Sequence, residues 1–140
     1  MRLTLESDYA IRIVEYLTSK NKVVGAAEIS EQASIPRRFA KNILQKLTKE
    51  EIIRSYKGIY GGYELARNPE EISLYDIVKV TEGSLALNHC RQGEKKCICV
   101  SDIGCPFSEI FTEMSLELET RLREIKFGPA VYKRHMAEGK

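Results

Sequence analysis

The sequence predicts a mainly α protein with one small β-hairpin, and three observations predict it. Apolar residues recur at threes and fours through most of the chain, the period of one face of a helix. One stretch, Ile52 to Arg67, instead combines a β-rich run, Gly58, Gly61 and Gly62, and an alternating run, which reads as two strands joined by a tip that needs glycine conformations. The 140 residues, 43% hydrophobic and 30% charged, suit one domain with at most a protruding element.

The first helix is expected to start near Ser7, whose hydroxyl can cap it, to bury Ala10, Ile13, Val14 and Leu17, and to end around residues 19–21. A short second helix from Ala26 is expected to bury Ala26, Ile29 and Ala33. Ser34-Ile35-Pro36 stops it, because proline disfavours helical geometry in the residue before it and suits the first turn of the next helix. That third helix, "PRRFAKNILQKLTKE", puts Phe39, Ala40, Ile43, Leu44 and Leu47 on one side. Arg37, Arg38, Lys41, Asn42, Gln45, Lys46 and Lys49 take the other, with no acid before Glu50. Two helices joined by a tight turn, the second amphipathic and basic, make the helix-turn-helix arrangement that lays its second helix in a DNA major groove. A hairpin directly after such a helix is a wing. Its tip offers Lys57, Tyr60 and backbone amides to phosphates or a minor groove.

Asn68-Pro69 marks a turn, and Ser73 is placed to cap a short helix, "LYDIVKVTEG", closed by Gly83. The following twenty or so residues have no steady period, and a loop that long in a small domain is functional or disordered. Pro106 can open a long helix in which Phe107, Ile110, Phe111, Met114, Leu118, Leu122 and Ile125 form a seam suited to pairing with a second copy. The predicted organisation is therefore a winged helix-turn-helix domain over 1–83, a cysteine-rich loop over 84–105, a dimerisation helix over 106–127 and a tail over 128–140.

Charge supports a polyanionic partner. Ser34 to Arg67 holds eight Lys/Arg against three acids, a local excess of five, so the rest of a chain whose total is +2 carries three net negative charges. Arg37, Arg38 and Lys41, near the helix start, together with Gln45, are the candidates for base and phosphate contacts, with Lys57 and Tyr60 at the wing tip. Lys46 and Lys49 are expected to be peripheral. The N-terminal residues lack a long apolar core, so neither a signal peptide nor a membrane span is expected, and the default is a cytoplasmic protein. No nucleophile–base pair or phosphate-binding loop suggests an enzyme.

All four cysteines fall within "HCRQGEKKCICVSDIGC", at positions 90, 97, 99 and 105. Reducing cytosol seldom keeps structural disulfides, so clustered thiols there are ligand or redox candidates. Eight residues separate Cys90 from Cys99, five separate Cys99 from Cys105 and one separates Cys97 from Cys99, a pattern unlike the two-residue knuckles of common zinc ribbons. Four thiolates suit tetrahedral zinc or an iron–sulfur cluster, and a redox thiol set stays open beside them.

Taken together, "MRLTLESDYAIR", "IPRRFAKNILQKL", "YKGIYGGYELAR", "ISLYDIVKVTEG" and a late cysteine trio running into "CPF" resemble, over nearly the whole chain, the Rrf-two family of bacterial transcription regulators, which includes the IscR, NsrR and RirA types. The resemblance implies a homodimeric winged-helix regulator that binds a pseudo-palindromic double-stranded DNA operator, with a four-iron or two-iron cluster at the subunit interface. It places the cluster ligands on Cys90, Cys99 and Cys105. Cys97 is surplus, either replacing Cys99 or supplying a fourth thiolate. The histidine that closely follows the last cysteine in the IscR type is missing, since Pro106-Phe107-Ser108 stands there. An aspartate near the start of the first helix, donated by the other subunit, completes the site in the NsrR type, and Asp8 stands at the matching place. An acid in a first helical turn also has an ordinary reason to be there, the helix dipole. His89 is a further possible ligand. Lys57 stands where the resemblance usually shows arginine, which keeps the charge but loses the planar fork. Repression is expected rather than activation, because no region for contacting polymerase is evident. The alternative is the same winged helix with a zinc or reversible-disulfide cysteine site, or with no cofactor in an apo form.

Overall fold

The computed structural model describes residues 2–88 and 105–128. In chain order these form α1 (Leu5–Lys20), α2 (Ala26–Gln32), α3 (Arg37–Lys49), β1 (Ile53–Tyr56), β2 (Gly62–Leu65), α4 (Leu74–Glu82) and α5 (Pro106–Glu124), with a 3-10 turn at Pro69–Glu71 before α4. The fold is mainly helical with one antiparallel hairpin, as the periodicities require.

The first helix begins a turn earlier than expected. Thr4, not Ser7, is its cap, accepting the Ser7 N–H at 3.3 Å. Ser7 is instead fully buried and turns its hydroxyl to α4, donating to Glu82 at 2.6 Å. Two hydroxyls three residues apart can each cap a helix, and only the neighbour across the interface decides between them. Ala10, Ile13, Val14 and Leu17 are buried as predicted, and Asn21 closes α1 in the left-handed conformation, its N–H on the Leu17 carbonyl.

In the seven-residue α2, Ile29 is buried but Ala26 is exposed and Ala33 only half-buried, against expectation. The missing apolar contact comes from the turn, where Ile35 is 3% exposed. Ser34 takes φ 55°, the Ile35 N–H reaches the Ser30 carbonyl at 2.9 Å, and the buried Ser30 hydroxyl donates to the Ile35 carbonyl. This pair of bonds sets the angle at which α3 leaves. Ala40, Ile43, Leu44 and Leu47 of α3 are buried, whereas Phe39, expected beside them, is 40% exposed and meets Tyr9 edge-on at 5.9 Å between ring centres.

One core joins α1, α2, α3, β1 and α4 through Ile13, Leu17, Ile29, Leu44, Ile53 and Ile77, all at most 1% exposed. Each such side chain contributes about 1.5–3 kcal/mol by leaving water. The hairpin pairs Ile53 with Leu65 through Tyr56 with Gly62, and Val24 joins its edge by two 2.8 Å bonds with Tyr63. Gly62, at φ 151°, lies so close to Val24 that a Cβ would overlap the Val24 carbonyl. Beyond it the tip stands free, with Ile59 and Tyr60 almost wholly exposed.

Ser73 and Asp76 form the reciprocal capping box of α4, and Gly83 closes the helix at φ 76°. Pro106 starts α5 as expected, but the helix stops at Glu124. Ile125 is therefore not part of the helical seam: its carbonyl accepts the Leu74 N–H at 2.8 Å, and Phe127 donates to Ile72 at 2.9 Å. Strand-like pairing with the residues before α4 outcompetes three further helical residues because it satisfies backbone groups at both chain segments. Arg123 stacks 3.7 Å over the Tyr75 ring and ties α5 to α4. The side of α5 bearing Phe107, Ile110, Phe111 and Met114 remains exposed at 66%, 50%, 41% and 48%.

Candidate nucleic-acid interface and cysteine site

On α3 every cation named from the sequence is exposed: Arg37, Arg38, Lys41, Lys46 and Lys49, with Asn42 and Gln45 among them. Arg38, Asn42, Gln45 and Lys49 recur at fours and threes opposite the buried residues, so one stripe alternates guanidinium, amide, amide and ammonium groups. Such a stripe can donate to phosphates and read base edges. Asn42, expected only on the polar side, and Lys49, expected at the periphery, both lie in the stripe, and their helical spacing from Arg38 is the sequence signal for it. Lys46 lies on the flank towards α1, where its ammonium meets Glu6 at 2.5 Å. The wing adds Lys57 and Tyr60, both exposed. The remaining cations of the basic segment, Arg54 and Arg67, line an open cavity at the base of the wing together with Glu50 and Glu51, so they add little net field there.

The cysteines divide differently. Cys105 is half-buried at the N-cap of α5, and among the described residues its thiol makes neither a disulfide nor a capping bond. Cys90, Cys97, Cys99 and His89 lie outside the described residues. Both described ends of the segment converge on the first half of α5. Leu87 donates its N–H to the Ser115 hydroxyl at 3.0 Å, and the Asn88 amide reaches the Ser108 hydroxyl at 3.3 Å. Ser115 is fully buried and its hydroxyl donates a hydrogen bond to the Phe111 carbonyl at 2.7 Å. The chain therefore departs after Asn88 and returns at Cys105 within a turn or so of one helix. Among the described residues the buried Asn88 Oδ1 has no hydrogen-bond partner. Among the described residues no group of three or more His, Cys, Asp and Glu is gathered for a metal ion.

Asp8 is about half exposed and paired with Arg12 at 2.8 Å, one turn on in α1. The start of that helix is pinned by Glu82, whose carboxylate accepts from the Thr4 N–H at 2.7 Å, the Thr4 hydroxyl at 2.8 Å and the Ser7 hydroxyl. The Ser7 bond, with the Thr4 bonds behind it, holds the Glu82 carboxyl below its ordinary value of 4.5 against the opposing effect of burial. Nothing in the sequence pointed to Glu82, because its partners are more than seventy residues away.

Residues 3–132 match the family model Rrf2, described as an iron-dependent transcriptional regulator. The chain belongs to the Rrf2 family. The HTH-type transcriptional regulator NsrR of Shouchella clausii is 30% identical over 115 residues, covering 81% of this chain and 76% of that protein. Among solved structures, T. potens IscR superposes with a TM-score of 0.73 at 19% identity, covering 100% of this chain and 93% of that one. CymR, the global cysteine regulator of B. subtilis, gives 0.69 at 18%, covering 90% and 92%. As an Rrf2 protein the chain is a DNA-binding transcriptional regulator with a winged helix-turn-helix, not an enzyme. No helix among its described residues is long and apolar enough to cross a membrane.

Proposed function

We propose that this Rrf2 regulator is a repressor whose DNA affinity is set by an iron–sulfur cluster held between two copies of the chain. Cys90, Cys99 and Cys105 would hold the cluster, with Cys97 as the alternative thiolate and Asp8 from the second copy as the fourth ligand. The donor chemistry fits: Cys105 offers a thiol with no bond among the described residues, and the hydrogen bonds of Leu87 and Asn88 keep the departing chain beside it. When bound, the cluster supplies a centre sensitive to nitric oxide, iron supply or redox state.

The chain's own residues provide the connection to DNA. Residues 83–86 link Glu82 to the anchored Leu87 and Asn88, and Glu82 grips the first turn of α1. Glu6 in that turn grips Lys46 of α3. A displacement at the cysteine segment would thereby reach the DNA-reading helix along this short backbone stretch, the Glu82 contacts with α1 and the Glu6–Lys46 pair. The apolar side of α5 supports a homodimer, which would present two such helices to a pseudo-palindromic operator in the cytoplasm.

The observation that carries this reading is the convergence of both ends of the cysteine segment on α5, in a chain whose α3 presents a basic stripe. Anaerobic purification with iron and acid-labile sulfide analysis tests it, followed by a comparison of loaded and stripped protein on the chain's own upstream DNA. Stoichiometric iron and sulfide with unequal affinities support the reading. Colourless protein with stoichiometric zinc or a reversible disulfide favours the thiol-based alternative, and equal affinities refute sensing.

A further inference from the structure

An open groove of about 440 Å³ runs between the first turn of α1 and the exposed side of α3, lined by Asn42, Gln45, Lys46, Lys49 and Glu6 among others. Two ammonium and two amide groups make a lining suited to a phosphate backbone, and Glu6 is the one acid among the residues that line it. That acid is engaged. Its Oε1 accepts from Lys46 Nζ at 2.5 Å, across forty positions of sequence, with the side chains 29% and 47% exposed. An ion pair this exposed contributes little to folding stability, so either side chain can be replaced without loss of the fold.

We propose that Glu6 is a positioning residue for DNA binding: it holds Lys46 out of phosphate contact, so this regulator binds DNA with one fewer ionic contact than its α3 could make. The proposal rests on the reading that the exposed side of α3 faces DNA. Glu6 works through Lys46 and touches no nucleotide itself. Its place in the same helical turn as Asp8, clamped by Glu82, puts the restraint where a shift of α1 would release it.

The test is fluorescence anisotropy of the full chain on a duplex of its own upstream DNA, between 50 and 200 mM salt. Each phosphate neutralised steepens the plot of log affinity against log salt by about 0.9. Glu6→Gln is expected to bind about threefold to tenfold more tightly at the low-salt end, with the slope steeper by about 0.9. Lys46→Gln alone is expected to leave the slope unchanged, and Glu6→Gln/Lys46→Gln to return it to the wild-type value. Glu15→Gln, an equal change of charge elsewhere on α1, controls for the general field and should leave the slope as it is. Three results overturn the proposal: a wild-type slope in Glu6→Gln, a shallower slope in Lys46→Gln alone, or a gain that persists in the double variant. If wild-type protein shows no salt-dependent binding at all, the DNA reading of α3 falls first and this proposal with it. Wild-type binding with an unmoved Glu6→Gln slope overturns this proposal alone.

Discussion

Arg38 and Lys57 represent the two kinds of contact a winged helix offers, and their chemistry predicts different losses. The Arg38 guanidinium stands at the N-terminal end of the exposed stripe and can fork onto a guanine edge, so Arg38→Ala is expected to cost about 1–3 kcal/mol and to relax preference at one base position. Lys57, an ammonium on a free-standing tip, can attract phosphate but cannot make the planar fork. Lys57→Ala should weaken binding to all duplexes alike and lower the salt slope by about one. Anisotropy with matched and scrambled duplexes separates the two, and an equal loss on both from Arg38→Ala would remove it from base reading. Gly62 predicts a loss of a different kind. Both its φ of 151° and the Val24 carbonyl beside it oppose a side chain, so Gly62→Ala should destabilise by on the order of 2 kcal/mol, seen as a lower urea midpoint.

Among the elements, α1 and α4 are joined by the Glu82 carboxylate, and its titration gives that joint a pH dependence. The folded state holds the Glu82 carboxyl below its ordinary value of 4.5, so in that window the unfolded chain binds the extra proton. The stabilisation is therefore fully present above pH 4.5 and is lost as pH falls through the lower, folded value. Glu82→Gln should flatten this acid limb in urea unfolding measured from pH 3 to 7, while removing charge-assisted hydrogen bonds worth about 1–3 kcal/mol at neutral pH. An unchanged limb would show that the carboxylate does not carry the joint. The opposite end of α4 is legible without any partner: Ser73 and Asp76 cap it locally, and Ser73→Ala should cost about 1 kcal/mol.

For the whole molecule, α5 is the element with an unfilled requirement. Its apolar side, from Phe107 to Met114, stays between 41% and 66% exposed, while Ser115, one turn after Phe111 on its flank, is buried against Leu87. Contiguous apolar surface of this kind marks an interaction site. Ile110→Glu with Met114→Glu is expected to yield a folded monomer by analytical ultracentrifugation and circular dichroism. Losing one of the two DNA-binding arms of the proposed homodimer should then lower operator affinity about a hundredfold or more. A double variant that remains dimeric would place the interface elsewhere.

The sequence by itself determined the elements whose physics is local. Helical and alternating periods specified five helices and a hairpin, Ser73, Pro106 and Gly83 marked ends, and the charge count singled out α3. These are legible because period, cap and turn depend on residues a few positions apart. Tertiary structure alone decided that Thr4 and not Ser7 caps α1, that Phe39 leaves the core to meet Tyr9, that Ile125 pairs with Leu74, and that Glu6 and Glu82 bind partners forty and seventy-eight positions away. Each outcome is a competition between neighbours that only packing brings together, and a hydroxyl, ring or carboxylate carries no record in the sequence of which distant group it will meet.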